Sequence, residues 1–383
     1  MISVVVSGLF FTSAVGHAST WFVEKDGSGD FTVIQDAFDA AAAGDTIRIG
    51  PGRFEDYQST SYPGGVYDIV GNNHLGDLTV IGAGADMTII GSEDGSQWER
   101  PTGFNNDGYL TGGTFYLSGV TLEGNKYGVI SEGGSFDIEG CVFQKCTFGI
   151  WSMVNGRISN CKFDDMADGG ILAISPGHDL IVEDCEFLNC SSKGFYFQSS
   201  PRMNVISCTF NNCQTAGYFD HCSGSIEKCT VTEHLGIGFI IRSSGRVDVT
   251  ENSLDGGWVN ISTAGGYNDD ININGNTLSG SELESIRIEN SLPQIHGNHI
   301  LRGERYAVRL KSFSLNEEDL FIDMTNNYWG TTDTDSIAAW IYDGNDEYDP
   351  VWGIKAFVVF EPFSTVPLPA EKKSLGGFKS MFR

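Results

Sequence analysis

The sequence predicts an all-β protein: a right-handed parallel β-helix solenoid with a short N-terminal capping helix. Two observations lead to this prediction. A short segment recurs about every 20–24 residues along most of the chain, which is the period of a structure that completes one coil per repeat. Each repeat is a run of β-branched or aromatic residues bounded by Gly, Asn and Asp, a composition that is typical of strands and turns.

The repeated segment begins with cysteine in the middle of the chain and with asparagine farther on. Its aligned first positions are Val120, Cys141, Cys161, Cys185, Cys208, Cys229, Asn252, Asn276, Asn298 and Asn327. Because successive coils stack about 4.8 Å apart, equivalent side chains form ladders. The five cysteines are therefore expected to form one internal stack of small apolar groups. The four asparagines are expected to stack amide on amide, each bonding the backbone of its neighbour.

A second, partial stack is predicted five residues on, at Cys146, Met166, Cys190 and Cys213. Since no four ligands converge on one point, we interpret the cysteines as structural thiols rather than as a metal site. The sequence leaves open whether some cysteines on adjacent rungs are oxidised to disulfides.

The domain organisation follows from the same pattern. Residues 1–18 are predicted to be a signal peptide, because an apolar run ends in Gly16 and Ala18 at the −3 and −1 positions of a cut before Ser19. Residues 19–369 are predicted to be one β-helix domain, with a cap (19–52), about ten coils and a closing segment (330–369). Residues 370–383 are predicted to be a polar, basic tail. The expected location is secreted, periplasmic or on the cell surface, and no later apolar run predicts a membrane span.

Residues 33–43 are predicted to form the capping helix, which would cover the open apolar end of the solenoid. Either Asp30 or Thr32 is expected to cap its N-terminus, and Gly44 is expected to end it.

Two strings resemble known β-helix families. The string Asp26-Gly-Ser-Gly-Asp-Phe-Thr-Val-Ile-Gln-Asp-Ala, with Gly44-Asp-Thr-Ile and Gly50-Pro-Gly after it, resembles the N-terminal cap of pectin lyase-like β-helix proteins. The string Asn326-Asn-Tyr-Trp-Gly, with Val359-Phe-Glu-Pro-Phe after it, resembles the last coil of bacterial right-handed β-helix repeat proteins. The resemblance implies the fold of the superfamily and no particular activity. The catalytic motifs of pectinesterases and polygalacturonases do not occur at matching positions.

The charge excludes one class of partner. Lys and Arg total 23 and Asp and Glu total 50, so the net charge is −27. Nucleic-acid binding requires a basic footprint, and we therefore expect no nucleic-acid partner.

A second strand follows each ladder segment and provides the candidate site. The aligned strands are residues 128–132, 149–153, 170–174, 194–198, 217–221, 238–242, 258–262, 285–289 and 307–311. Their second position is uniformly apolar and is expected to face inward, so the third and fifth positions face outward. The outward set is aromatic toward the N-terminal half and basic toward the C-terminal half.

The favoured hypothesis is a protein that binds polysaccharide, acidic or uronate-containing, along this outer face. Aromatic rings stack on sugars, and arginine binds carboxylates bidentately. The predicted substrate-binding residues are Trp151, Tyr196, Gln198, Phe219, Arg242, Arg287, Arg309 and Lys311.

An alternative hypothesis is a polysaccharide lyase that cleaves a uronate polymer by β-elimination. His221 or Tyr196 would be the base, and Arg242 would neutralise the carboxylate. Asp220 falls in the inward fourth position, so either the strand shifts register there or Asp220 forms a site with His221. Calcium is a candidate cofactor of such a lyase, with Asp220 or Glu289 as its ligand.

Two further alternatives are a glycoside hydrolase and a purely structural spacer. Asp220 and Glu289 lie three rungs apart, about 14 Å, which is too far for a hydrolase pair. A hydrolase would need a loop acid such as Asp269 or Asp270. In a spacer, the basic residues of the face would only form surface ion pairs. Residues 343–349 are more typical of a solvated acidic loop than of a calcium site, and no metal site is assigned.

Overall fold

The computed structural model describes residues 17–62, 65–93, 101–107, 112–174, 178–265, 270–313, 319–346 and 354–367. Over these residues the chain winds into a right-handed parallel β-solenoid of about 12 turns, more than the ten coils aligned in the sequence. Residues 1–16 of the predicted signal peptide and the predicted tail lie outside the described residues. Neither helix in the described part of the chain is long and apolar enough to cross a membrane.

Each full turn contributes one strand to each of three stacks of parallel strands, which we call sheets 1, 2 and 3, and hydrogen bonds join sheets 1 and 3 into one 23-stranded sheet. Sheet 1 contains β1 (Thr20–Val23), β2 (Thr46–Ile49), β6 (Leu78–Gly82), β9 (Thr114–Ser118), β12 (Ser135–Glu139), β15 (Asn155–Ser159), β18 (Asp179–Glu183), β21 (Arg202–Ile206), β28 (Ile271–Asn274) and β31 (Gln294–His296). Two long strands, β23 (Thr215–Glu227) and β25 (Ile237–Thr250), run through both sheet 1 and sheet 3. The sequence alignment identified two strands in each coil, and sheet 1 is formed by the third strand, which the alignment did not identify.

Sheet 2 contains the predicted ladder strands, namely β3 (Gly52–Phe54), β7 (Thr88–Ile90), β10 (Thr121–Glu123), β13 (Val142–Gln144), β16 (Lys162–Asp164), β19 (Glu186–Leu188), β22 (Thr209–Asn211), β24 (Thr230–Thr232), β26 (Ser253–Asp255), β29 (Thr277–Ser279) and β32 (His299–Ile300). Sheet 3 contains the second predicted set. Besides β23 and β25 it includes β5 (Gly65–Asn73), β8 (Pro101–Asn106), β11 (Tyr127–Ser131), β14 (Phe148–Ser152), β17 (Gly169–Ile174), β20 (Lys193–Gln198), β27 (Val259–Ala264), β30 (Glu284–Glu289), β33 (Tyr306–Lys311) and β35 (Ile341–Tyr342).

The two ends are closed differently from the middle. Helix α1 (Ile34–Ala40) covers the N-terminal end and buries Ile34, Ala37 and Phe38, which confirms the predicted capping helix in a shorter form. The predicted N-cap at Asp30 or Thr32 was wrong. The helix begins after Val33, which has an extended backbone, and no side chain caps the N-terminus. It also ends at Ala40, so Gly44 does not terminate it.

The C-terminal end closes with a second short helix, α2 (Thr334–Ala339), and with strands outside the main sheets. Strand β34 (Leu320–Asp323) pairs with β36 (Ala356–Val359), and Phe321 stacks on Phe357. Near the start of the solenoid, β4 (Gln58–Tyr62) pairs antiparallel with β5.

The interior consists of stacked columns, as the ladders predicted. Phe143, Phe163, Phe187 and Phe210 stack with ring centroids 4.7–4.8 Å apart. All nine cysteines are buried. The five ladder cysteines hydrogen-bond through Sγ to backbone carbonyls, and among the described residues none is part of a disulfide or a metal cluster.

The asparagine ladder is confirmed in detail. Asn252 N and Nδ2 both donate to Asn276 Oδ1 at 2.9 Å, and Asn276 makes the same two bonds to Asn298. Asn298 N and Nδ2 in turn donate to Asn327 Oδ1 at 2.8 and 2.9 Å. A left-handed residue precedes each ladder position from Cys141 to Asn327 and makes the sharp corner between sheet 1 and sheet 2.

The second ladder continues farther than predicted, because His234 occupies its next rung after Cys213. The imidazole is 2% exposed, and its Nε2 lies 3.3 Å from the Val259 carbonyl oxygen. Gly257 on the following coil leaves the space for the ring, since a Cβ there would lie 2.2 Å from His234 Cδ2. Burial lowers the pKa of His234 below its ordinary value of 6.5.

This buried imidazole is expected to make the fold acid-sensitive. Below pH 6.5 the ring takes up a proton more readily in the unfolded chain than in the folded one, so stability falls as the pH falls. His234→Met copies Met166 of the same ladder and removes the titration. Melting temperatures at about pH 7.5 and about pH 5.5 should therefore differ less in His234→Met than in the unchanged protein. An equal acid loss in both proteins would assign the sensitivity to other groups.

Candidate binding face

The candidate site is the outer surface of sheet 3, which we call the sheet-3 face. Strand register aligns its outward side chains in two columns. The first column contains Trp151, Leu172, Tyr196, Tyr218, Ile240, Ser262, Arg287, Arg309 and Tyr342. The second contains Ile174, Gln198, Asp220, Arg242, Ala264, Glu289 and Lys311.

One predicted binding residue was placed on the wrong side of the sheet. Phe219 is fully buried and pairs with the inward Phe197, so it is not part of the outer face. Tyr218 takes the outward position and pairs with Tyr196. The strand shifts by one residue because Gly217, not an apolar side chain, lies opposite Phe195. A Cβ on Gly217 would lie 1.9 Å from Cζ of the Phe195 ring, which fills that space.

The same shift resolves the two alternatives for Asp220. Asp220 lies opposite Gln198 and Arg242 in the outward column, and His221 follows it in a left-handed turn with φ of 55°. The second coil after it, which contains β27, is also displaced relative to the sequence alignment, so that Ser262 rather than Asn260 lies between Ile240 and Arg287.

Asp220 is the centre of a hydrogen-bonded cluster. Tyr196 Oη donates to Asp220 Oδ2 at 2.9 Å, and Gln198 Nε2 donates to the same oxygen at 3.3 Å. His221 Nδ1 lies 3.0 Å from Asp220 Oδ1. The Asp220 side chain is only 11% exposed whereas that of His221 is 65% exposed. The carboxylate is thus satisfied by protein donors, and it orients an imidazole that faces solvent.

Two tyrosines and two cations surround this cluster. The rings of Tyr196 and Tyr218 lie 5.2 Å apart, and the Arg242 guanidinium lies 5.6 Å from the Tyr218 ring centroid. Lys193 Nζ lies 5.6 Å from the Tyr196 ring centroid. Burial and the hydrogen bond to Asp220 raise the pKa of Tyr196 to about 12. Tyr196 therefore stays protonated near neutral pH and acts as a donor.

The N-terminal part of the face is apolar. Trp151 is half-buried against Tyr127, with ring centroids 5.5 Å apart, and its Nε1 is buried without a hydrogen-bond partner among the described residues. A shallow pocket of about 270 Å³ lies next to Tyr196. It is lined by Phe148, Asp168, Gly169, Ile171, Leu172, Ile174, Lys193 and Tyr196.

The C-terminal part of the face contains the other predicted cations, and two of these are paired. Arg287 Nε donates to Glu284 Oε1 at 2.5 Å, and the Glu284 side chain is fully buried. Lys311 Nζ lies 3.5 Å from Glu289 Oε1. Arg309 instead lies over the Tyr342 ring, 5.6 Å from its centroid.

The described residues add no support for the calcium ion of the lyase hypothesis or for the glycoside hydrolase hypothesis. The described residues contain no group of three or more His, Cys, Asp or Glu side chains that would hold a metal ion. Both oxygens of Asp220 are engaged by protein donors, and Asp343 accepts from Val358 N at 2.9 Å. Asp269 and residues 347–349 lie outside the described residues.

Sequence reasoning missed four residues that shape this face: Tyr218, Lys193, Glu284 and Tyr342. Lys193 and Glu284 are the first residues of β20 and β30, where the simple alternation of faces breaks down. The available signal was the Gly217-Tyr-Phe-Asp string, whose glycine marks the shifted register.

The comparisons with known proteins agree on the fold. The family model described as right handed beta helix region matches residues 105–254 and 204–328. These matches together span more than half of the 383 residues, so the chain belongs to this family. A search of curated protein sequences gave no significant match.

Several solved structures share the fold at low identity. The catalytic unit of a GH87 alpha-1,3-glucanase from Streptomyces thermodiastaticus aligns with a TM-score of 0.50 and 14% identity, over 86% of this chain and 64% of that one. A second GH87 alpha-1,3-glucanase catalytic domain aligns with a TM-score of 0.56 and 12% identity, over 85% and 66%. This chain thus spans just under two thirds of the glucanase chains.

The A-module of an Azotobacter vinelandii mannuronan C-5 epimerase matches over more of its length. It aligns with a TM-score of 0.53 and 14% identity, over 88% of this chain and 95% of that one. At these identities the likeness establishes the solenoid fold.

Proposed function

We propose that this protein binds an acidic polysaccharide along the sheet-3 face, centred on Tyr196, Tyr218, Asp220, His221 and Arg242. The observation that carries the proposal is the exposed Arg242 guanidinium stacked on Tyr218 beside a second tyrosine. The names of the similar solved structures, which are glucanases and a mannuronan epimerase, support a polysaccharide as the ligand.

The chemistry of the cluster suits a sugar that carries a carboxylate. Tyrosine rings pack against the CH faces of a pyranose, and Gln198 and His221 present polar atoms to its hydroxyls. Arg242 offers a fork of donors to a carboxylate. A chain of net charge −27 repels anions in general, so a bound acidic glycan must meet local cations such as Arg242 and Lys193. Export to the periplasm, cell surface or medium is part of this proposal.

A second candidate function is β-elimination in the same polymer, and the Asp220–His221 pair favours it. Asp220 holds the imidazole through Nδ1, so the other ring nitrogen would take the C5 proton of a uronate. The C–H electron pair then forms the C4–C5 double bond, the C4–O bond breaks, and the leaving oxygen takes a proton from water. Arg242 would neutralise the carboxylate. We favour His221 over Tyr196 as the base, because burial and the hydrogen bond to Asp220 raise the pKa of Tyr196 to about 12.

One experiment tests both candidates. The protein is run through gels that contain polygalacturonate, alginate or neutral dextran, and the same mixtures are followed for the absorbance of unsaturated uronate. Binding predicts retardation by an acidic polymer and none by dextran, with retardation reduced at least about tenfold by Arg242→Gln. Arg246→Gln is the control, because Arg246 pairs with Asp248 on sheet 1.

The absorbance arm separates the two candidates. A lyase predicts absorbance that His221→Ala abolishes while retardation persists. Retardation without absorbance would support binding and contradict the lyase. If no acidic polymer retards the unchanged protein or the control variant, both functions are refuted.

A further inference from the structure

We infer that the sheet-3 face recognises a linear, repeatedly anionic glycan at two separate guanidinium sites, Arg242 and Arg309, and that a ligand binds tightly only when it spans both. This inference rests on the proposed function and adds the length and charge pattern of the ligand.

The cations of the face fall into two groups. Arg287 and Lys311 are neutralised within the protein by Glu284 and Glu289. Arg242 and Arg309 form no ion pair with any carboxylate in the described part of the chain. Among the described residues of the two columns, Arg242 and Arg309 are therefore the only cations in the C-terminal half of the face that no ion pair neutralises.

Both arginines lie over a tyrosine ring of an adjacent rung: Arg242 over Tyr218 of the first column, and Arg309 over Tyr342 of its own column. Arg242 lies 5.6 Å from the centroid of Tyr218, and Arg309 lies 5.6 Å from that of Tyr342. In addition, Arg309 Nε is buried and has no hydrogen-bond partner among the described residues. Such a donor is costly to leave unbonded, and an anionic ligand with several acceptors would satisfy the guanidinium. The stacked rings fix the two guanidinium groups before any ligand arrives.

The two sites are three rungs apart, on β25 and β33. With rungs about 4.8 Å apart, the separation along the solenoid axis is about 14 Å, roughly three monosaccharide units of an extended chain. On the rung directly after Arg242, the described outward side chains are Ser262, which is buried, and Ala264. Neither side chain carries a charge, so no cation or carboxylate of these two columns lies on that rung.

Two linked contacts predict a step in affinity. An oligosaccharide that reaches only one arginine gains a single exposed contact, whereas one that reaches both makes the second contact at a high effective concentration. The anionic group is a carboxylate or a sulfate ester, since a guanidinium binds either.

The test is an affinity series measured by calorimetry. Oligogalacturonates from dimer to hexamer are titrated in one arm, and sulfated oligosaccharides of the same lengths in the other. We expect the affinity to rise at least about tenfold between the dimer and the tetramer or pentamer. The rise should occur in the arm whose anionic group, carboxylate or sulfate ester, is the one that the two arginines recognise. Arg309→Gln should remove the rise, because ligands of every length then reach only the Arg242 site. Arg302→Gln, an exposed arginine outside the two columns, should behave like the unchanged protein.

Each outcome decides a separate point. A smooth increase with length, or a step that persists in Arg309→Gln, would overturn the two-site inference and leave the proposed function intact. Failure of the unchanged protein to bind any acidic oligosaccharide would overturn the proposed function itself. Arg309→Lys keeps the charge but loses the fork, and it should retain part of the step; this variant serves if Arg309→Gln does not fold.

Discussion

Replacing Asn276 with leucine is expected to lower the free energy of unfolding by about 3–5 kcal/mol. The side chain is the middle of the asparagine ladder and is fully buried. Its Oδ1 accepts from Asn252 N and Nδ2, and its Nδ2 donates to Val249 O at 2.8 Å and to Asn298 Oδ1 at 2.9 Å. Leucine has a similar volume, so the loss comes from buried polar groups that are left without partners.

Chemical denaturation followed by circular dichroism measures this loss. Gln294→Leu on β31 is the matched control, because Gln294 is exposed and the same type of change there should stay within about 0.5 kcal/mol. A loss below about 1 kcal/mol in Asn276→Leu would mean that the ladder contributes little to stability.

Gly170→Ala is expected to destabilise the protein by about 2–3 kcal/mol, although only one methyl group is added. A Cβ at Gly170 would lie 2.6 Å from the Gly194 carbonyl oxygen and 2.7 Å from Phe187 Cδ1. Phe187 cannot move aside, because its ring is stacked between Phe163 and Phe210 at 4.8 and 4.7 Å. The glycines at the second position of these sheet-3 strands, such as Gly170, are therefore a steric requirement of the phenylalanine stack.

The adjacent glycine supplies the control. A Cβ at Gly169 would approach nothing closer than the Lys193 carbonyl oxygen at 3.2 Å, so Gly169→Ala should cost clearly less. Thermal melts of the two variants compare them directly. Equal melting temperatures would show that the phenylalanine stack relaxes to admit the methyl group.

The sheet-3 face shows where sequence reasoning reached its limit. The alternating pattern placed Trp151, Tyr196, Gln198, Arg242 and the C-terminal cations outward, and the strand pairing places them in the same two columns. Alternation failed at two adjacent aromatic residues, Tyr218 and Phe219, because either one fits an outward or an inward position equally well. The decision came from the preceding coil, where the ring of Phe195 fills the space over Gly217.

The sequence also did not show which basic side chains of the face form ion pairs. The four basic residues of the face looked equivalent, yet Glu284 neutralises Arg287 from the start of the same strand and Glu289 neutralises Lys311 of the next rung. Only coordinates in three dimensions separate these two from Arg242 and Arg309, which stack on tyrosines.

The sequence by itself determined the solenoid and its interior, because stacked coils place the same position of every repeat in one column. A column of Cys, Asn or Phe therefore appears in the sequence as one residue type at a regular spacing. The tertiary structure alone decided the register of the coil around Asp220, the extension of the second ladder to His234, and the partners of each surface charge. Those features depend on which side chain of a neighbouring coil fills a given space, and a repeat period carries no information about that choice.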